Sequence, residues 1–244
     1  MPSAMKRKEA GNVKRSAQTN QTPRSILRNM LIAAASLFVN GFGVYLTIHA
    51  GIGAGPWDVF NLGLSHTFGI LYGTASIAVS ASILLIDVLL REPIGVAMVI
   101  DAITVGKAVD LFEWLDLVPV PGTVWGGAAM ILAGLVIMGY TQFFYMRASL
   151  GCGPRDTLLV GLKRRTGRIP IGAVSVVLLG LVTLTGYFLG GPVGIGTLIC
   201  AFVTGPVMQL AFRTVRFDAT TVRHQRIRET VRVFAGAAKA QKGI

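Results

Sequence analysis

Charge is scarce in this sequence. Of its 244 residues, 14% are Asp, Glu, Lys or Arg, against about a quarter in a soluble domain. Cysteine is rarer still: Cys152 and Cys200 stand apart in apolar or Gly-rich sequence, which excludes a disulfide framework and a Cys-based metal cluster. The three histidines, His49, His66 and His224, are scattered. H-E-x-x-H, G-x-S-x-G and P-loop patterns are missing, so the chain is read as no enzyme, with no metal and no cofactor.

What the sequence has instead is apolar surface: 52% of residues are hydrophobic and the mean hydropathy is +0.63. The net charge of +12 points either to nucleic acid or to an anionic membrane surface. The basic residues lie between apolar runs and at the tails, not along an aromatic-interleaved face. The membrane reading follows, with anionic headgroups as partners and no nucleic acid. Residues 1–24 are polar and basic and read as a disordered tail. They do not form a cleavable signal peptide, because the basic stretch and the apolar run after it are both too long.

A helix needs about 20 mostly apolar residues to cross a bilayer. Six stretches qualify, near 30–50, 70–90, 94–112, 124–146, 171–189 and 193–212. The third carries Asp101, Lys107 and Asp110, each costing about 2.5 to 3.5 kcal/mol near the helix centre. Charge placement favours its crossing. With the N-terminus inside, seven Lys and Arg precede the first run, Arg91 follows the second, six fall in 147–168 and eight come after 212. The external segments 51–69, 113–123 and 190–192 have none. The positive-inside rule therefore places both tails of a multi-pass protein in the cytoplasm.

Residues 50–70 repeat as 148–168, with eight of 21 positions identical, six of them in a core G-x-G-P-x-D-x-x-x-x-G-L. A second block, 93–111, repeats as 192–210 through Pro93/Pro192, Gly95/Gly194, Ala102/Ala201, Gly106/Gly205 and Leu111/Leu210. Each unit (25–118 and 119–212) holds three spans, and an odd number forces the second copy to enter from the opposite side. The fold class is thus an all-α polytopic membrane protein of about six helices, built as two inverted three-span repeats. Such repeats recur in secondary transporters. A duplicated structural protein would carry them too.

In each motif Gly55 or Gly153 is expected to cap a short helix, with Pro56 or Pro154 at its first position and Asp58 or Asp156 in the first turn, where the helix end is positive. These half-helices either dip into the membrane or lie along its interface. In the first case Gly55, Pro56, Trp57, Asp58, Gly153, Pro154, Arg155 and Asp156 form a substrate site; in the second each Asp only caps its own helix. Trp57 suits an outer interface. Arg155 pairs with Asp156, holds an anion or is a plain cytoplasmic charge, and Lys163, Arg164 and Arg165 suit lipid headgroups.

At about 100° per residue, Thr104, Lys107 and Asp110 lie roughly 300°, 240° and 180° from Asp101. This half-cylinder is expected to face the bundle interior, with Lys107 and Asp110 paired, and to serve either as an ion relay or as a packing device. Asp87 is expected to pair with Arg91. Gly205-Pro206 aligns with Gly106-Lys107 and is expected to interrupt the last span. The basic stretch 213–234, within a tail of 213–244, reads as an amphipathic helix on the inner leaflet or as a solvated tail.

On 53–65 and 151–158 the sequence resembles the YczE-like, YitT-related family of bacterial membrane proteins, over about 30–212. The resemblance implies a small polytopic protein of the bacterial cytoplasmic (inner) membrane and brings no substrate. The family's third span carries G-T-x-x-N followed by Gly and Asp. Gly106 and Asp110 match it, Asp101 stands in place of Asn, and Ala97-Met98 replaces Gly-Thr, which Gly196-Thr197 retains. The function expected is a small-molecule transporter or exporter, as a monomer or homo-oligomer. The alternative is a membrane scaffold that recruits a cytoplasmic partner through its basic loop and tail.

Overall fold

The computed structural model describes residues 22–217 and 226–242. Most of the polar N-terminal tail, and residues 218–225 of the basic C-terminal stretch, lie outside the described residues. Within them the chain is helical, with no strand. The helices are α1 (Pro23–His49), α2 (Pro56–Phe68), α3 (Tyr72–Leu89), α4 (Val96–Leu115), α5 (Val124–Arg147), α6 (Pro154–Thr166), α7 (Ile171–Phe188), α8 (Ile195–Thr214) and α9 (Ile227–Lys242). Five of them (α1, α3, α5, α7 and α8) are long and apolar enough to cross a membrane. The sixth expected span, α4, has the length at 20 residues and is set apart by its charges. The chain is a multi-pass membrane protein.

Local chemistry places the helix ends. Thr22 Oγ1 accepts from Ser25 N–H at 3.3 Å ahead of Pro23, and Thr123 Oγ1 accepts from Gly126 N–H at 3.1 Å, each filling an orphan donor of a first turn. Gly69 ends α2 at φ 64°, a left-handed value that glycine takes without penalty. Pro206 does not interrupt α8, which runs unbroken through it. The missing N–H removes only a single helix bond, and a methyl on the preceding Gly205 would meet nothing within 4 Å.

α1 packs most extensively on α5, and glycine lets them do so. A methyl on Gly134 would stand 2.6 Å from the Gly43 carbonyl, and one on Gly43 would stand 2.8 Å from the Gly134 carbonyl. Small residues permit the close approach of backbones on which membrane helix packing depends. Around this pair α4 packs on α1 and α8 on α5. The short helices reach across: α2 lies on α7, and α6 lies on α3. The C-terminal helix α9 touches α1, with Val233 against the cluster holding Ile26.

Candidate functional site

The two motif loops are built alike. Gly55 and Gly153 cap their helices at φ/ψ of −60°/155° and −63°/156°. Gly53 and Gly151 both have positive φ, 105° and 136°. Each loop is tied to the helix start that follows the other motif: Gly196 N–H donates to Ile52 O at 2.8 Å, and Ala97 N–H donates to Leu150 O at 3.1 Å. There is no room for a side chain at these crossings, since a methyl on Gly53 would lie 2.6 Å from Gly194 N and one on Gly95 would collide with Leu150 O.

Both short helices slant, N-terminus inward. A methyl on Gly55 would touch Cys200, six residues into α8, at 3.8 Å, whereas Thr67 near the other end donates to Leu189 O, just past α7. In the second motif a methyl on Gly153 would stand 2.9 Å from Asp101 Oδ2, six residues into α4, while Arg165 reaches back to Leu90 O and Glu92. The slant brings both first turns into the bundle. Trp57, Asp58, Gly153, Arg155 and Asp156 line one central cavity of about 270 Å³, together with Asp101.

Three carboxylates and one guanidinium face this space. Asp58 is buried; its Oδ1 accepts from Tyr72 Oη at 2.8 Å and lies 4.0 Å from Arg155 Nη1. Asn61 in turn donates to Tyr72 Oη at 3.3 Å. The Arg155 guanidinium sits 5.2 Å over the Trp57 ring, a cation–π distance. Arg155 therefore pairs with the other motif's Asp58, and Trp57 stands inside the protein rather than at an outer interface. Asp156 is open to the cavity. Neither it nor Asp101 has a side-chain hydrogen bond among the described residues. The Tyr145 hydroxyl also faces the cavity, buried and unpartnered among them.

A second chamber of about 330 Å³ shares Trp57, Asp58, Leu135, Met138, Arg155 and Thr204 with the first. It adds Gly55, Pro56 and Gly205, and runs between Ser175 and Leu179 of α7 and Cys200 and Ala201 of α8. Pro154 is fully buried and Pro206 lines neither chamber.

The polar half of α4 does not act as one surface. Asp101 turns to the cavity, but Asp110 Oδ1 accepts from Gly73 N–H at 2.6 Å, Thr104 is half-buried away from both chambers, and Lys107 is exposed on the outside of the bundle. The expected Lys107–Asp110 pair does not form. An arc of about 180° is wider than one cavity, so its two edges meet different neighbours and its middle faces outward. Nor does Asp87 pair with Arg91: Asp87 is buried with neither carboxylate oxygen partnered among the described residues, while Arg91 is exposed, its φ of 57° turning the chain away. Glu92 is the buried acid that finds bases, Arg164 at 3.1 Å and Arg165 at 3.2 Å. Two of the charges read as headgroup ligands are thus drawn to the α3–α4 link.

Sequence reading missed Tyr72, Tyr145, Asn40, Gln142, Ser76 and Ser80, all lining the central cavity. Tyr72 alone carried a signal, three residues beyond the Gly that closes the first motif. Among the described residues no cluster of His, Cys, Asp or Glu is arranged to hold a metal.

An all-helical membrane protein with paired motif loops around an internal polar cavity is the class that fold and site define. The chain belongs to the family of unknown function DUF6198, whose model matches residues 27–213. It is similar to the uncharacterized membrane protein YczE of Bacillus subtilis, 30% identical over 182 residues that cover 72% of this chain and 82% of that one. An uncharacterized protein of Haemophilus influenzae is 29% identical over 182 residues, covering 75% and 82%. Bacillus subtilis YyaS is 26% identical over 181 residues, covering 71% and 87%. No solved structure matches the chain.

Proposed function

We propose that this chain is a small-molecule transporter of the cytoplasmic membrane, working by alternating access between two inverted three-span repeats. One observation carries the reading: both Gly-Pro-x-Asp helix starts reach a single internal cavity. Discontinuous helices whose positive ends converge on a buried site are the pattern of secondary transporters. Further support comes from helix lengths, 27, 13, 18 and 20 residues in one half against 24, 13, 18 and 20 in the other. The crossed hydrogen bonds of Ile52 with Gly196 and Leu150 with Ala97 keep the spacing of the sequence repeat. In this reading α4 is the sixth span, both tails are cytoplasmic, and the role is transport rather than catalysis.

The test has two arms. In a chain with Cys152 and Cys200 replaced, Thr67→Cys and Thr166→Cys put thiols at the exposed ends of α2 and α6. An impermeant maleimide labels the first in intact cells and the second only after permeabilisation. Labelling of both from one side overturns the inverted arrangement. Asp58→Asn and Asp156→Asn, in proteoliposomes screened against a panel of labelled solutes, then abolish the flux the parent shows. Parental flux in both variants overturns the site.

The scaffold reading rests on α9, which leaves Val231 and Phe234 exposed beside α1. It requires that removal of residues 227–244 abolish function while both Asp variants keep it.

A further inference from the structure

The two halves differ at one helix pair, and the difference opens a way into the cavity. α3 packs on α4 through Gly73, where a methyl would collide with Gly106 O and the Asp110 carboxylate. The corresponding residues of the second half are Gly172 and Gly205, yet a methyl on either meets nothing within 4 Å. α7 and α8 scarcely touch, and only Val174 and Gly186 of α7 are buried. The second chamber runs through this gap, past Ser175, Leu179, Ala201 and Gly205, to Trp57 and Asp58. Its outer part, mostly of small and apolar residues, faces the surface that α7 gives to the bilayer; its inner end holds the Asp58–Arg155 pair and adjoins the central cavity.

The charge of the central cavity beyond that end is not balanced. Arg155 is held by Asp58 at 4.0 Å, while Asp101 and Asp156 face the cavity with no second base among its lining residues. A carboxylate inside a membrane protein needs a cation or a donor. The buried Tyr145 hydroxyl, unpartnered among the described residues, supplies a further polar contact without adding positive charge. Trp57 lines both chambers, and its ring already takes one organic cation, the Arg155 guanidinium, by the kind of contact an ammonium group also makes.

Resting on the transport reading for its site, we infer that the ligand is an amphipathic organic cation, which enters sideways from the bilayer between α7 and α8. Its ammonium group lies by Asp101 and Asp156 in the cavity that Trp57 also lines, and its apolar body lies in the α7–α8 gap. A water-soluble metabolite would need no apolar side door, and an anionic lipid would meet two uncompensated carboxylates.

The experiment uses the full chain in nanodiscs of zwitterionic lipid, with Trp114→Phe and Trp125→Phe leaving Trp57 as the reporter. The two replaced indoles are 80% and 86% exposed, away from the cavity. Decylammonium, decanol and decanoate are titrated at equal bilayer concentrations. The expected result is a saturable change in Trp57 emission, with decylammonium bound at least about tenfold more tightly than either other probe, the scale of one charged contact. Asp156→Asn weakens that binding by about the same factor. Equal affinity for decanol, or tighter binding of decanoate, overturns the cation assignment without recourse to any variant.

The route is tested with Gly205→Phe, which fills the gap where open space surrounds Gly205. It slows association of decylammonium at least about tenfold and leaves that of water-soluble ethylammonium unchanged. An unchanged decylammonium rate overturns lateral entry. Binding is read without a gradient, so failure to find flux does not remove it, and failure to bind these probes leaves transport of another solute class standing.

Discussion

The α3–α4 pair and the α7–α8 pair are made from matching sequence and stand in different states. Both carry glycines at corresponding places, Gly73 and Gly106 in one, Gly172 and Gly205 in the other. In the first pair the glycines meet and Asp110 fixes the contact by accepting from Gly73 N–H. In the second the place of Asp110 falls to Gln209, which is exposed, and the helices stand apart. Small residues thus permit contact without enforcing it, and a hydrogen bond to a charged group selects which pair is closed. The two motif carboxylates follow suit: Asp58 beside the closed pair is buried under Tyr72, and Asp156 is open.

The largest effect that breaks this comparison comes from filling the glycines. Gly73→Leu or Gly106→Leu forces the closed pair apart and lowers stability by about 3 kcal/mol or more. Gly172→Leu and Gly205→Leu, set in open space, stay within about 0.5 kcal/mol. Thermal unfolding of the detergent-solubilised variants gives the ranking, and equal losses in both pairs would show that the halves are packed alike. Next, Asp110→Ala removes a charged hydrogen bond and costs about 1.5 to 3 kcal/mol, whereas Gln209→Ala changes stability by less than about 0.5 kcal/mol.

A smaller change tests the polar latch over Asp58. Tyr72→Phe deletes the hydroxyl bonded to its carboxylate and costs about 1 to 2 kcal/mol, and it leaves that side of Asp58 without its cover. In the parent, Asp156→Cys reacts with a small maleimide several times faster than Asp58→Cys; adding Tyr72→Phe narrows the gap. Equal rates in the parent would erase the difference between the two motifs. Smallest is the clip that joins α6 to the α3–α4 link. Arg164 and Arg165 are 63% and 44% exposed while Glu92 is buried, so solvent screens the pair from one side. Arg164→Ala costs about 0.5 kcal/mol and less in high salt, and a loss that ignores salt would contradict the screened geometry.

Much of this protein was legible in the sequence. The runs near 30–50, 70–90, 124–146, 171–189 and 193–212 all became helices of membrane-spanning length. Gly55-Pro56 and Gly153-Pro154 start short helices at the expected residues. These features are local: hydropathy, the fixed φ of proline and the freedom of glycine act within a few residues of where they occur. The same locality explains the misses. A wheel plot puts Asp101, Lys107 and Asp110 on one half of α4, but it cannot say how far the helix is rotated against α3 and α1, so Lys107 fell outside and Asp110 met Gly73. Asp87 and Arg91, four apart, looked paired until a left-handed turn at Arg91 separated them.

By itself, then, the sequence determined a multi-pass helical protein, where its helices begin, and which two motifs were worth following. Tertiary structure decided that Arg155 of one motif meets Asp58 of the other, 97 positions away. It also decided that Asp101 shares their cavity and that one glycine pair is closed while its counterpart is open. The reason is physical. Helix formation is settled by neighbours along the chain, whereas the choice among helix contacts is settled by rotations and slants whose energies differ by only a few contacts, and no single segment encodes that balance.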